Sequence, residues 1–365
     1  MWDLDTTDTW SYVVFVVASA ALLIYSSMMM FIIVTVVASK IFLHKPTSQH
    51  ELGDVVPGVS IIKPLVGVDP LLEYNLESHF KLSYPKASGA NGIVNPMVQN
   101  MAPAYAAAQY EYVWISSSRI EGKLQKPNVS LVHQIPFTTD SPGFGSSVEK
   151  IYFGSAMTRF YVSFNVLGLC CVTGMSYIFK KPLLDQANGL AWFGRYLAED
   201  FFLTRALHER GHMVMSAIPA KQNVGQTTVC GFINRMVRWM RLRLNMMTAV
   251  TGILEPLSDC FPLGIWAGWA FYHFFAINPF IFFIFHVLSW LVLDYIQLKT
   301  IQNGKLLFCK AEYVIAWMVR ELSSTYVFIL AVLNPHHIKW GRHTYKVKMG
   351  GLVELVQEKT KLQQL

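Results

Sequence analysis

Residues 197–211 read Leu-Ala-Glu-Asp-Phe-Phe-Leu-Thr-Arg-Ala-Leu-His-Glu-Arg-Gly, so two acids, Glu199 and Asp200, open a segment of helical periodicity that stops at a glycine. This pattern predicts a helix with an acidic first turn. A carboxylate in that turn lies near the positive end of the helix dipole, which favours its ionised form. Asp200 is therefore a candidate proton acceptor, with Glu199 beside it as a candidate substrate-binding residue. An ordinary acidic helix start would show the same pattern.

Residues 226–247 also follow a helical pattern, and they concentrate guanidinium groups. Arg235, Arg238 and Trp239 fall within about one and a half turns of each other. Guanidiniums grouped in this way suit a diphosphate or a lipid headgroup. We expect these three residues to bind substrate. A basic amphipathic helix lying on an anionic membrane surface is the alternative.

The composition indicates an integral membrane protein. Of the 365 residues, 53% are hydrophobic and only 15% are charged, against about 25% charged in an average soluble domain. The net charge of +7 fits anionic lipid or an anionic substrate, and the chain carries no nucleic-acid motif, so nucleic acid is not expected as a partner. The five cysteines show neither metal spacing nor a disulfide framework, which favours a reducing, cytosol-facing domain.

Uncharged stretches at both ends predict the membrane segments. Residues 9–39 lack charge, which is enough for a helix crossing about 30 Å of hydrocarbon. Acids precede this stretch, and Lys40 and Lys45 follow it, so the positive-inside rule places residues 1–45 as an anchor with its start in the lumen and residues 46–260 in the cytosol.

The second membrane region is predicted at residues 261–335. It divides into segments at about 261–277, short enough to be re-entrant, at 279–297 and at 313–333. The last contains Arg320 and Glu321, which need to face protein, water or the interface. Residues 336–365 form a basic tail. Its side of the membrane depends on how many of the preceding segments cross, which the sequence leaves open.

Within residues 46–260, strand and helix patterns alternate, which predicts an α/β sheet. Strands are expected at 59–64, 110–115, 130–133, 171–179 and 212–218, helices at 69–82, 95–109 and 149–165, and turns at 138–147.

Six motifs resemble the ceramide glucosyltransferase family of nucleotide-diphospho-sugar transferases. They are Gly-Val-Ser-x-x-Lys-Pro-Leu-x-Gly-Val-Asp-Pro at 58–70, Leu-Val-His at 131–133, Cys-Val-Thr-Gly-Met-Ser at 171–176, Ala-Glu-Asp at 198–200, Arg-Met-x-Arg-Trp at 235–239 and Asp-Tyr-Ile-Gln-Leu at 294–298. The resemblance implies a GT-A-like α/β domain with transmembrane helices at both ends. It also implies an enzyme of the Golgi or endoplasmic-reticulum membrane that transfers glucose from UDP-glucose to ceramide and so makes glucosylceramide for sphingolipid metabolism.

The resemblance assigns roles to the motif residues. Asp200 would take the acceptor proton, while Arg235 and Arg238, normally with Mg²⁺ or Mn²⁺, would bind the departing diphosphate. Trp239, His133 and Cys171 would lie at the substrate, although His133 also suits an ordinary buried histidine and Cys171 an ordinary core cysteine. Ceramide, UDP-glucose and membrane lipid are the implied partners, and an oligomer is left open.

Three positions depart from the family pattern. Only seven residues lie between Pro85 and Ile93, where the family has a strand and a helix with the aspartates that hold the uridine. The family's metal-facing carboxylate corresponds to Ser117, and an expected lysine corresponds to Met97. The sequence therefore predicts an incomplete sheet with no metal ligand at Ser117. It leaves a second interpretation, a catalytically inactive membrane paralogue or truncated isoform that binds ceramide or an active partner.

Overall fold

The computed structural model describes residues 6–45, 58–62, 94–116, 128–169, 174–222, 225–340 and 343–356. The helix expected at 69–82, the shortened stretch between Pro85 and Ile93, and the positions Ser117 and Cys171 lie outside these residues.

Helix α1, Thr6–Phe42, is the N-terminal membrane helix. Its 37 residues include no glycine or proline, and at 1.5 Å per residue they extend about 55 Å, more than the hydrocarbon core requires. The chain turns at His44, where φ is 58°. The helix agrees with the first predicted span.

A mixed sheet of five strands forms the centre of the α/β domain, in the order β1-β2-β5-β3-β6. β5 runs antiparallel to both of its neighbours, whereas β1 pairs with β2 and β3 with β6 in parallel. This sheet confirms the predicted α/β class. Its strands are β1 Val59–Ile62, β2 Tyr112–Ser116, β3 Val129–His133, β5 Ser176–Lys180 and β6 His212–Met215.

A separate parallel pair, β4 Pro136–Thr138 and β7 Ala220–Gln222, was not predicted. The strand expected at 212–218 ends at Met215, and the chain then continues into β7.

Helices of the domain pack against the sheet, and one buried cluster joins Val113 and Leu131 of the strands with Val98 and Leu203 of the helices. The helices are α2 Pro96–Ala106, α3 Phe144–Tyr152, α4 Thr158–Val166, α5 Lys181–Asp185, α6 Gly189–Trp192, α7 Glu199–His208 and α8 Val229–Met246, with a π-helical turn, Phe153–Met157, joining α3 to α4. The prediction of turns at 138–147 is wrong for its last four residues, which are helical. Ser146 and Ser147 are buried, and the Ser147 hydroxyl donates to Glu312 Oε1 at 2.7 Å, a distant partner that sequence periodicity does not show.

In the described part of the chain, a π-helix, Val250–Leu254, and four α-helices follow α8, and the first of the four is the short α9, Glu255–Leu257. α10, Cys260–Phe275, has 16 residues and is about 24 Å long, less than the thickness of the hydrocarbon core. α11, Pro279–Gln302, and α12, Lys310–Leu333, have 24 residues each. By length and apolar composition, α11, α12 and residues 9–42 of α1 could each cross a membrane. The predicted reversal at Asn278 is present, and its Oδ1 caps α11 by accepting from Phe280 N at 2.9 Å.

A buried ion network joins the α/β domain to α11 and α12. Asp294 of α11 forms ion pairs with Arg159 of α4 and with Arg320 of α12, the latter at 3.6 Å. Trp317 Nε1 donates to the same carboxylate at 3.0 Å, and Glu321 pairs with Arg320. The adjacent charges at 320 and 321 therefore face protein, one of the environments that the sequence required.

The C-terminal tail contains a three-stranded antiparallel sheet in the order β10-β9-β8. Its strands are β8 His337–Trp340, β9 His343–Val347 and β10 Val353–Val356. Ile338, Tyr345 and Val353 form a buried cluster with Leu197, which directly precedes α7. The tail therefore lies against the α/β domain.

Replacing Asp294 with alanine tests the buried network. We expect the free energy of unfolding in detergent micelles to fall by about 3–5 kcal/mol, because two buried guanidiniums lose their counter-charge. The control is Glu354→Gln, which removes an exposed ion pair with Lys348 and should change stability little. Equal effects of the two substitutions in urea titrations would contradict the role given to Asp294.

Candidate functional site

Asp200 lies in the first turn of α7, half-buried, with both carboxylate oxygens hydrogen-bonded. Oδ1 accepts from Phe201 N at 2.9 Å and Oδ2 accepts from Gly174 N. A side chain at position 174 would approach the Asp200 carboxylate to 3.2 Å, so the glycine permits this close contact. Burial raises the pKa of Asp200, and the two N–H groups oppose that rise. A carboxylate with a raised pKa that stays fixed in position is a suitable general base.

Glu199 is held by Asn95. Its side chain is 5% exposed, and Oε2 accepts from Asn95 Nδ2 at 2.5 Å. Asn95 also donates to Tyr196 O at 2.9 Å, and its Oδ1 caps α2 by accepting from Met97 N. Burial and the adjacent Asp200 raise the pKa of Glu199. These bonds give Glu199 a role in fixing the start of α7, and its predicted contact with substrate stays a prediction.

His133 and Tyr177 are opposite each other on β3 and β5. Burial, followed by the charges of Glu199 and Asp200, raises the pKa of the Tyr177 hydroxyl. His133 is 3% exposed, and its ring is 5.4 Å from that of Tyr161. Burial lowers the pKa of His133 to about 3, so the imidazole is neutral at pH 7. The structure places His133 inside the domain, and its predicted contact with substrate stays a prediction.

Arg235 and Trp239 face α3 from helix α8. Arg235 forms an ion pair with Glu149, which is 1% exposed. The guanidinium lies 6.0 Å from the centre of the Phe153 ring and 5.9 Å from that of Trp239. Phe153 and Trp239 are themselves edge to face at 6.2 Å. The positive charge of Arg235 is thus already matched by a buried carboxylate.

Arg238 points toward the C-terminal sheet instead. Its guanidinium lies 5.7 Å from the centre of the Trp340 ring, and burial lowers its pKa. Within the described ranges, no carboxylate forms an ion pair with Arg238. Nearby, Arg241 donates to Leu330 O at 3.1 Å and to His337 O at 2.9 Å, which attaches α8 to the end of α12. Of the two guanidiniums predicted to bind the diphosphate, Arg238 is therefore the one without a carboxylate partner in the described part of the chain.

The C-terminal sheet contacts both helices of the candidate site. On the α7 side, Tyr196 forms a β-bridge with Leu352, and Gly351 packs against Phe202. On the α8 side, Gly350 N donates to Asn245 O at 2.9 Å. No hydrogen bond or ion pair among the described residues joins Asp200 to Arg235 or Arg238. The sheet thus contacts both the helix of the acid and the helix of the guanidiniums.

The family resemblance implies Mg²⁺ or Mn²⁺, and the described residues contain no group of three or more His, Cys, Asp or Glu side chains that could hold such an ion. Glu149 is occupied by Arg235, and His133 is buried. We therefore derive no chemical step through a metal.

Sequence reasoning missed four residues that shape the site: Asn95, Glu149, Tyr177 and Trp340. The pair Asn95-Pro96 is a typical helix start and could have identified the cap of α2. The alternation of Tyr345 and Val347 before two glycines indicates a hairpin, which could have revealed the sheet that carries Trp340. Glu149 and Tyr177 carry no comparable local signal, because their partners are distant in the chain.

The family model and the similar proteins agree on one family. The model of Glycosyl transferase family 21 matches residues 23–88 and 87–353. Ceramide glucosyltransferase 3 of Caenorhabditis elegans is 34% identical over 343 residues, which cover 82% of this chain and 74% of that protein. Ceramide glucosyltransferase 1 of the same organism is 35% identical over 352 residues, covering 84% and 75%. The two matched ranges meet at 87–88, within the stretch between Pro85 and Ile93.

Among solved structures, a mannosyltransferase from Pyrobaculum calidifontis in complex with GDP-Man and Mn²⁺ is similar, with a TM-score of 0.39 and 13% identity. The similarity covers 86% of this chain and 99% of that one.

Two neighbouring glycines test the attachment of the C-terminal sheet. Gly350 and Gly351 have φ of +85° and +83°, so alanine at either costs about 1–2 kcal/mol of backbone strain. Only at 351 would the added carbon lie 2.7 Å from Phe202, whereas at 350 it would meet nothing within 4 Å. We therefore expect Gly351→Ala to lower the melting temperature more than Gly350→Ala and to make the tail more sensitive to limited proteolysis. The same loss in both variants would contradict the packing of the tail on α7.

Proposed function

Because the chain belongs to glycosyl transferase family 21, we propose that it transfers glucose from UDP-glucose to ceramide, with Asp200 as the proton acceptor. Two relatives that cover most of this chain are ceramide glucosyltransferases, and the six motifs at 58–298 resemble the same family. The observation that carries the proposal is the half-buried carboxylate of Asp200, fixed by Gly174 N and Phe201 N at the start of α7.

The reaction requires one base and stabilisation of the leaving group. As the primary hydroxyl oxygen of ceramide attacks the anomeric carbon of glucose, Asp200 accepts the hydroxyl proton. The new carbon–oxygen bond forms on the face opposite to the diphosphate, and the bond to the diphosphate oxygen breaks with its electron pair on UDP. One displacement of this kind inverts the configuration at the anomeric carbon. A single carboxylate base is sufficient for it.

We propose that Arg238 is the main residue that binds the leaving diphosphate. No carboxylate among the described residues pairs with it, and its guanidinium lies against the Trp340 ring, so it can stabilise the negative charge that develops on the diphosphate. Arg235 is paired with Glu149, and with Trp239 it forms the wall of the site toward α3. The predicted role of Cys171 near the substrate is retained as a proposal.

We also propose a Golgi or endoplasmic-reticulum membrane location with the α/β domain in the cytosol. Lys40 and Lys45 follow the long uncharged stretch of α1. The attachment of the tail to the domain brings Lys339, Lys346 and Lys348 to the same side of the membrane as these lysines. All five positive charges then agree with the positive-inside rule.

The second candidate function is a non-catalytic one, and the shortened stretch between Pro85 and Ile93 supports it. The family match breaks at 87–88, where the resemblance places the aspartates that hold the uridine, and Ser117 stands at the expected metal-facing carboxylate. A chain without these donor contacts would bind ceramide or an active partner and would not catalyse.

The Asp200→Asn substitution separates the two candidates. Membranes containing the full chain are incubated with UDP-glucose, a fluorescent ceramide and Mg²⁺ or Mn²⁺, and the glycolipid product is quantified. We expect product from the unsubstituted chain and a loss of about 10²–10⁴-fold in Asp200→Asn, because the general base is removed. Glu209→Gln is the matched control, since Glu209 follows the same helix and is 64% exposed. Absence of product with retained ceramide binding would favour the non-catalytic candidate.

A comparison of arginine variants tests the assignment of the diphosphate. Arg238→Ala should raise the KM for UDP-glucose about tenfold to hundredfold, since a charge-assisted hydrogen bond contributes about 1.5–3 kcal/mol. Trp340→Ala retains the charge and should have a smaller effect. Arg205→Ala, an exposed arginine on α7, serves as the charge-matched control. A KM that rises in Arg235→Ala but not in Arg238→Ala would overturn the assignment.

A further inference from the structure

One edge of helix α4 and the loop after it is apolar and exposed. Residues 160–169 contain no charged side chain. Phe160 is 38% exposed, Val166 45%, Leu167 61% and Leu169 54%. An apolar surface of this kind on a domain marks a contact with protein or membrane. These four residues form the apolar edge of α4.

Helix α4 lies directly against the membrane helix α1. The Thr35 and Ser163 hydroxyl oxygens are 2.5 Å apart, and the Ser163 hydroxyl donates to Phe31 O at 3.4 Å. The Phe31 ring is 6.4 Å from that of Phe160 and 6.1 Å from that of Phe164. The apolar edge is therefore continuous with the surface of α1.

The position of this contact along α1 indicates its depth in the bilayer. Lys40 is the first basic residue after the uncharged stretch 9–39 and is expected at the headgroups. Phe31 precedes it by nine residues, so it lies about 13 Å farther along the helix axis. One leaflet of the hydrocarbon core is about 15 Å thick. The contact with α4 thus falls at the level of the acyl chains.

We propose that the apolar edge of α4 is inserted into the acyl chains of the leaflet that faces the α/β domain. Its occupant is lipid, because the edge continues the lipid-facing surface of α1 and adds no charge to it. The charged residue nearest in the sequence, Arg159, is buried and pairs with Asp294. The domain is thus attached to the bilayer by its own surface as well as by its membrane helices.

This insertion has a consequence for the site, and only this consequence rests on the proposed function. Five residues after Leu169 the chain reaches Gly174, whose N–H holds the Asp200 carboxylate. The inserted edge therefore holds the proton acceptor close to the membrane surface, where the hydroxyl of a membrane lipid is found.

The test is photo-crosslinking of the full chain in phosphatidylcholine vesicles that contain radiolabelled phosphatidylcholine. p-Benzoyl-phenylalanine replaces Leu167, and in a second variant Leu169. The control position is Tyr110, an aromatic residue that is 52% exposed. Tyr110 precedes β2, and His133 is the last residue of β3. Because β2 and β3 are both antiparallel to β5, they run in the same direction, and Tyr110 lies at the end of the sheet opposite to His133.

We expect several-fold more lipid adduct at both leucine positions than at Tyr110. Equal yields at all three positions would overturn the proposal. It would also be overturned if crosslinks between two copies of the chain dominated at 167 and 169, because the edge would then be a protein interface. Since adducts are counted without any enzyme assay, a failure of the proposed transferase function would be seen separately.

Discussion

The carboxylate of Asp294 holds the membrane helices and the α/β domain in one arrangement. It pairs with Arg159 and Arg320, and Arg159 belongs to the helical segment that also carries Glu149, the partner of Arg235. Buried ion pairs return little net stability, since removing charges from water costs about as much as their attraction provides. An unmatched charge in the same place is costly, so the network disfavours packings of these helices that separate the charges. The position of the guanidinium cluster relative to the membrane follows from that constraint.

Much of the architecture could be predicted because its causes are local. The uncharged stretch of α1, the acidic start of α7 and the alternating pattern of the domain depend on neighbouring residues, and the structure contains each of them. The partners of charged residues could not be predicted in the same way. Arg235 and Glu149 are 86 positions apart, and periodicity carries no information about such a pair. The adjacent charges at 320 and 321 indicated only that partners were required, and the structure identifies Asp294 as the principal one.

The C-terminal sheet also could not be predicted from local sequence patterns. Its strands are short, and their burial depends on Leu197 and on helix α8, both more than 80 residues away in the chain. The sequence identified the segment only as a basic tail, whereas its alternate side chains, Tyr345 and Val347, are buried in the structure. The same sheet orients Arg238 through Trp340 and contacts the helix of Asp200. A segment at the end of the chain thus contributes to the assembly of the proposed site.

The central claim is that Asp200 and Arg238 face one substrate site at the membrane surface. The most direct measurement is an electron cryomicroscopy structure of the chain in a lipid nanodisc with UDP. The account predicts diphosphate density against the Arg238 guanidinium, with the Asp200 carboxylate open to the same cavity. UDP bound away from Arg238, or Asp200 enclosed by packed side chains with no path to the nucleotide, would contradict it.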